Sequence, residues 1–300
     1  MNSLCVSNFK AFKETFLLSL DGKSSLIYGE NGSGKTSLFE AVKLFFFKER
    51  ILKELIPSNM VGEERDNEVE RVFSEYKRAA DSEIDIEVDE KDSNSYNIND
   101  ISVFLVAYSN IDKLDSINLE ELVNEAYFSK ADKFINWYSK DLGELIVDQV
   151  NSDLKDYFML SEVELHLMDN GNCTIQNELN VIPKAKDLHR FFNESILHLV
   201  KFATIIETII FFVEKREKAL IVLDDCFNSL DTPNRTFMMR FFLEKTKGIQ
   251  KVVLTHNTGF YNLFDYIVNS VENETNEWVN FQLCKINGNH TLLDTTTKSV

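Results

Sequence analysis

The stretch that most constrains this chain is Gly29-Glu30-Asn31-Gly32-Ser33-Gly34-Lys35-Thr36. It fits the phosphate-binding loop pattern G-x-x-x-x-G-K-S/T. Leu26-Ile27-Tyr28 reads as the end of a buried strand. Ser37 to Leu44 reads as a helix, with Leu38, Val42 and Phe45 at helical spacing. Glycines let backbone N–H groups curl around phosphate oxygens with no Cβ in the way. The following helix points its positive end at the anion. Glu30, Asn31, Gly32, Ser33, Gly34, Lys35, Thr36 and Ser37 are therefore candidate nucleotide ligands. Lys35 would reach the β- and γ-phosphates, and the Thr36 hydroxyl would ligate Mg²⁺. A glycine-rich turn that matches by chance is the alternative. Agreement of strand, loop and helix, and of two motifs downstream, argues against it.

Leu220-Ile221-Val222-Leu223-Asp224-Asp225 is an apolar strand ending in two acids. Two adjacent acids after a buried strand are seldom placed there for packing. Asp224 at the strand tip would hold Mg²⁺, directly or through water. Lys251-Val252-Val253-Leu254 is the next buried strand and ends in Thr255-His256-Asn257.

Three hundred residues, 44% of them hydrophobic, allow one large α/β domain or one domain carrying an insertion. The 24 phenylalanines should mostly be packing. No apolar run approaches the length of a membrane span, and the N-terminus lacks the apolar core of a signal peptide. Cys5, Cys173, Cys226 and Cys284 have no metal-ligand spacing, so a reduced, cytoplasmic protein is expected. The net charge is −17. Residues 61–170 hold 28 acidic and 10 basic side chains, a net of −18, and the remainder holds 21 and 22, a net of +1. An acidic middle repels a phosphate backbone, so any DNA would meet the flanks or a partner protein.

Residues 3–20 read as two short strands, with a turn at Asp21-Gly22. Phe45 to Ile56 is a mixed apolar and basic stretch ending at Pro57. Val69, Val72, Phe73 and Tyr76 form one apolar stripe on an exposed helix, and Ile84, Ile86 and Val88 alternate as a strand. Ile101 to Tyr108 is a buried strand leading to Asn110. Residues 118–160 read as short helices, including Phe134, Trp137 and Tyr138. Glu162 to Met168 reads as a strand, Asp169-Asn170-Gly171-Asn172 as a turn, and Cys173 to Ile182 as a strand. Asn287-Gly288 is a hairpin turn in what reads as an edge hairpin with no chemistry.

Asn8-Phe9-Lys10-Ala11-Phe12 ahead of Tyr28-Gly29-Glu30-Asn31-Gly32-Ser33-Gly34-Lys35-Thr36 resembles the start of the RecF/SMC class of ABC-type ATPases. The usual signature L-S-x-G-E/Q does not occur. In its place Phe192-Asn193-Glu194-Ser195 resembles an L-N-E-A variant of small bacterial members. These also carry D-D, S-L-D, N-R and T-H, as at Asp224-Asp225, Ser229-Leu230-Asp231, Asn234-Arg235 and Thr255-His256. The resemblance implies an α/β ABC-ATPase head, a P-loop NTPase, built from 1–60 and 171–300. Residues 61–170 would be a small acidic inserted lobe, with the strand near 101–108 belonging to the head. No heptad seam is sustained, so no long coiled coil is expected.

The resemblance also implies ATP and Mg²⁺. Asp225 stands where a glutamate activates water, one methylene shorter. Asp231 would organise the loop that couples two subunits, and His256 is the switch histidine at the γ-phosphate. Asn193 takes the signature serine's role and Ser195 the glycine's, toward the ATP of the opposite subunit. Asn110 falls at the γ-phosphate-sensing position, but it also reads as a plain strand-to-turn asparagine. Asn193 also reads as a helix N-cap. The implied behaviour is ATP-dependent association into a homodimer or higher, in DNA maintenance or anti-phage defence, controlling a separate effector such as a nuclease or toxin, with no membrane. The other reading is an ATP-binding scaffold that hydrolyses little.

Overall fold

The computed structural model describes residues 1–80, 82–112, 117–129, 140–168, 172–176, 188, 192–213, 218–227, 230–271 and 278–296. In chain order the elements are β1 (Ser3–Ser7), β2 (Phe16–Ser19), β3 (Ser24–Tyr28), α1 (Lys35–Leu55), α2 (Glu63–Ser74), β4 (Asp85–Val88), β5 (Ile101–Ala107), α3 (Tyr108–Asp112), β6 (Ile117–Asn118), α4 (Leu119–Glu125), α5 (Lys140–Asp156), β7 (Glu164–Leu167), β8 (Asn172–Gln176), α6 (Glu194–Phe212), β9 (Lys218–Asp224), α7 (Thr232–Lys245), β10 (Gln250–Thr255), α8 (Thr258–Val271), β11 (Trp278–Ile286) and β12 (Asn289–Asp294). They fall into two compact units. The first comprises Met1–Asp100, Gln250–Asn257 and Glu277–Val300, and the second Ile101–Ile249 and Thr258–Asn276. The acidic stretch 61–170 is thus shared between the two units.

In the first unit β3 lies between two parallel partners, β10 and β11, and its first four residues are buried. A strand covered on both sides reads as a continuous buried run, as here. β12 pairs antiparallel with β11 through Asn287-Gly288, whose φ values of 52° and 89° suit a tight hairpin turn. The hairpin lies at the edge of its sheet, as its sequence led one to expect, with β12 outermost and β11 against β3. A second sheet, in the order β2-β1-β4, is antiparallel and turns Leu4, Val6, Phe16 and Leu18 inward. α1 runs on through the stretch read as mixed, kinks at Phe47 (φ −125°), and stops at Leu55. Ile56 is extended, as a residue before proline must be. The stripe on α2 packs Val69, Val72, Phe73 and Tyr76 against Leu52 and Ile56.

In the second unit β5 and β9 are parallel, with Ile101 opposite Lys218 and Ala107 opposite Asp224. All seven residues of β5 are buried. A small antiparallel sheet has the order β6-β8-β7. α6 is the core helix, buried continuously from His198 to Ile209 and packed on α3, α4, α5 and α7. By length and composition it could cross a membrane, contrary to the expectation from the run lengths, but most of that stretch is buried within the unit. Its buried hydroxyls are satisfied along the helix: Thr204 Oγ1 donates to the Val200 carbonyl at 2.7 Å and Thr208 Oγ1 to the Thr204 carbonyl at 2.6 Å. Phe134, Trp137 and Tyr138, residues 169–171, the continuation of β8 toward Ile182, and Ser229 lie outside the described residues. All four cysteines are free thiols.

Candidate functional site

The first unit brings Glu30, Asn31, Gly32, Ser33, Gly34, Lys35, Thr36, Ser37 and His256 to one end of β3 and β10. Leu254 is in register with Ile27 and Thr255 with Tyr28, and the Gly29 amide donates to the Thr255 carbonyl at 3.0 Å. His256 follows directly and is exposed. No side chain caps α1, whose N-cap is Gly34 at φ 106°. A helix start with uncapped amides and no acid in its first turn suits an anion. The Lys35 ammonium is buried and donates to the carbonyls of Gly29 at 2.6 Å and Glu30 at 3.1 Å. It is held against the loop that would receive a phosphate. Thr36 is exposed, and the Ser37 hydroxyl accepts from the Ala11 amide at 3.3 Å.

Glycine is needed at 29 for space and at 32 for conformation. A Cβ on Gly29 would clash with Ser33 Oγ and lie 2.8 Å from the Leu283 carbonyl oxygen of β11. The hydroxyl can rotate, but the backbone carbonyl cannot. Gly32 has φ 80° and open space around it. Gly29→Ala should therefore cost at least tenfold in ATP-analogue affinity by calorimetric titration, whereas Gly32→Ala carries only the left-handed strain of about 1 kcal/mol. Equal losses at the two positions would contradict this packing.

Two neighbours of the loop were not legible. His290 of β12 donates from Nδ1 to the Ser33 carbonyl at 2.6 Å. The same nitrogen would lie 3.2 Å from a Cβ on Gly34, and Phe12 would approach it to 3.4 Å. His290 packs edge-on to Phe12, with ring centroids 5.4 Å apart. The hairpin read as without chemistry therefore braces the glycine loop. Asn8, at φ 48°, ties down the strand that begins this motif. Its Nδ2 donates to the Ala79 carbonyl at 3.1 Å, and its Oδ1 accepts from the Ala79 amide at 2.7 Å.

The second unit carries Asn110, Asn193, Ser195, Asp224 and Asp225. Asp224 ends β9 opposite Ala107, and α3 with Asn110 follows at once. The Asn110 amide donates to the Glu125 carbonyl at 3.1 Å and so ties α3 to the end of α4. Asn193 is the N-cap of α6, its Oδ1 accepting from the Ile196 amide at 2.8 Å, with Ser195 in the first turn. Asp225 takes the left-handed conformation at φ 54°, which aspartate and asparagine adopt more readily than other residues with a side chain. Burial, helped by the charges of Asp224 and Asp225, pushes the Cys226 thiol well above its usual range, so it stays protonated. Asp231 caps α7, accepting from the Asn234 amide at 3.0 Å. Arg235 donates to the carbonyls of Phe227 at 3.0 Å and Leu230 at 2.6 Å, tying that helix to the turn after β9.

Oxygen donors are what a hard cation such as Mg²⁺ takes; the first unit offers the exposed Thr36 hydroxyl and the second, by itself, the half-buried Asp224 carboxylate. Among the described residues no group of three or more His, Cys, Asp or Glu forms a separate metal cluster.

The model of the RecF/RecN/SMC N-terminal domain matches residues 1–277. Comparison with curated proteins gives no match. Among solved structures, the SMC head domain from Thermotoga maritima superposes with a TM-score of 0.51 at 16% identity, covering 98% of each chain. An SmcHead bound to the C-winged helix domain of ScpA gives 0.55 at 12% identity, over 99% of this chain and 98% of that one. An Smc head with an extended coiled coil, bound to the C-terminal domain of ScpA derived from Pyrococcus furiosus, gives 0.56 at 11%, over 98% and 95%. At these identities the likeness is one of fold.

Proposed function

The chain belongs to the RecF/RecN/SMC N-terminal domain family, and from that premise we propose that it is a Mg²⁺-dependent ATPase whose two heads associate on binding ATP. The observation that carries this reading is the glycine loop. Its lysine lies folded on the Gly29 and Glu30 carbonyls, before a helix that no side chain caps. In the proposal Lys35 and the α1 amides bind the β- and γ-phosphates, and Thr36 and Asp224 hold the metal. When bound, Mg²⁺ supplies charge neutralisation at the phosphate oxygens. Asp225 accepts a proton from the attacking water, and His256 orients the γ-phosphate. Asn193 and Ser195 face the nucleotide of a second copy; the Asn193 oxygen is used in capping, which leaves its NH₂ to donate.

We place the protein in anti-phage defence or DNA maintenance, acting through a separate effector such as a nuclease or toxin. The charge supports a protein partner over direct DNA contact, because residues 61–170 carry 28 acids against 10 bases. The ScpA-bound heads support it by analogy. The first unit also has a cleft of about 830 Å³ whose lining includes Leu44, Phe45 and Phe73 and charges of both signs, Lys48 and Lys77 beside Glu70, Glu83, Asp85 and Asp92, which suits a partly apolar segment of mixed charge.

A second reading, an ATP-gated scaffold that hydrolyses little, is favoured by one observation. Asp225 has the shorter side chain and a left-handed backbone. Turnover and light scattering on the wild type, Lys35→Ala and Asp225→Asn separate the two. Asparagine tolerates φ > 0, so it removes the charge without moving the backbone. On the first reading Asp225→Asn falls to the Lys35→Ala rate, keeps ATP affinity within threefold, and still dimerises with ATP. A wild-type rate no higher than that of Lys35→Ala leaves only the scaffold. A mass unchanged by ATP removes the dimer, and with it any effector control by association.

A further inference from the structure

In the second unit three elements meet at one buried side chain. His198, one turn into α6, donates from Nε2 to the Cys226 carbonyl at 2.7 Å. Its ring packs against Tyr108 of α3, with centroids 5.0 Å apart. The Tyr108 hydroxyl donates to Glu194 Oε1, in the first turn of α6, at 3.0 Å. Cys226 is gripped from the other side as well, its Sγ donating to the Val106 carbonyl near the end of β5 at 3.3 Å. The turn after β9 is therefore held by β5 through the thiol, by α6 through the imidazole, and by α7 through Arg235. Burial keeps the imidazole neutral, and the carbonyl acceptor selects its Nε2–H form.

Asp225 immediately precedes Cys226, whose carbonyl His198 holds, and its φ of 54° is the left-handed conformation that sets the direction of the turn. We infer that His198 is a positioning residue for the Asp225 carboxylate. It fixes the turn that aims this acid, and it makes that aim depend on the start of α6, where Asn193 and Ser195 lie. The catalytic consequence rests on the ATPase reading above; the holding of the turn does not. Movement of the α6 start, on contact with a second copy's nucleotide, would reach Asp225 through His198 within a single helical turn.

The test uses the full chain with His198→Phe, which fills the space without a donor, and His198→Gln, which restores one. Hydrogen–deuterium exchange at Asp225–Phe227 reads the turn, and steady-state kinetics reads the acid. The expected result for His198→Phe is exchange at least tenfold faster in the turn and kcat lowered at least tenfold with KM for ATP within threefold, both largely recovered in His198→Gln. Unchanged exchange overturns the inference, as does faster exchange with wild-type kcat, or a loss confined to KM. Should the wild type turn over no faster than Lys35→Ala, the ATPase reading falls, and the exchange result alone decides whether His198 holds the turn. If His198→Phe does not fold, a slowly exchanging Nε2–H signal in wild-type NMR, lost in His198→Gln, supports the bond; a fast-exchanging or Nδ1–H imidazole overturns it.

Discussion

Lys35→Ala is expected to weaken binding of a nonhydrolysable ATP analogue about a hundredfold. In the structure the ammonium donates to the carbonyls of Gly29 and Glu30. A triphosphate would draw it into charge-assisted bonds worth about 1.5–3 kcal/mol each, set against the loop bonds it gives up. A net loss of about 3 kcal/mol is two decades in Kd. Part of the effect would also appear without nucleotide, because alanine leaves the two loop carbonyls short of a donor. Titration calorimetry on the folded variant reads the affinity, and thermal denaturation without ligand reads the loop. An unchanged Kd would remove the phosphate-binding assignment of this loop.

Lys245→Met is expected to cost the largest stability of any single change considered. Lys245 Nζ lies 2.7 Å from Asp153 Oδ1 and 3.0 Å from Glu207 Oε1, and both carboxylates are almost fully buried. These residues sit on α7, α5 and α6 and join the three helices at one point. Burial foremost, and hydrogen bonding to Asp153, push the Glu207 carboxyl up to about 7 even though Lys245 opposes this. A carboxyl raised in this way binds a proton on folding, so its contribution is complete at low pH. It is lost as pH rises from about 4.5 through about 7. Removing the cation leaves two facing acids, and breaking a buried pair costs about 3–5 kcal/mol. The loss should be larger at pH 8, above the Glu207 value, than at pH 5.5, where Glu207 is protonated. Urea titrations of wild type and variant at the two pH values check this. An equal loss at both would show that the carboxylates do not repel, and the account of this cluster would be wrong.

The glycine loop, the acid-tipped strand and the His256 strand tip were legible because each is a local rule. A phosphate loop needs glycine where φ is positive or space is lacking, and Gly29, Gly32 and Gly34 stand at those places. A parallel strand buried on both sides needs an unbroken apolar run, and β5 and β9 supply one. Asn193 was left between two roles by its sequence; its capping bond establishes one of them without excluding the other. α1 was read as ending too early because Phe45 to Ile56 loses its simple periodicity where the helix kinks at Phe47. The inner neighbour of the edge hairpin was illegible for a different reason. Nothing within Trp278 to Asp294 signals that β11 takes β3 as its parallel neighbour, since parallel partners need no connecting turn.

Spacing and residue type alone thus specify a nucleotide-binding α/β head, because phosphate loops and strand-tip acids are contiguous in the chain. Tertiary structure alone brings His290 to Ser33 across 257 positions, His198 to Cys226 across 28, and Lys245 to Asp153 and Glu207. Such pairs have no period and no fixed spacing. They exist only once helices and strands have packed, when a buried donor must find whichever acceptor the fold has placed beside it.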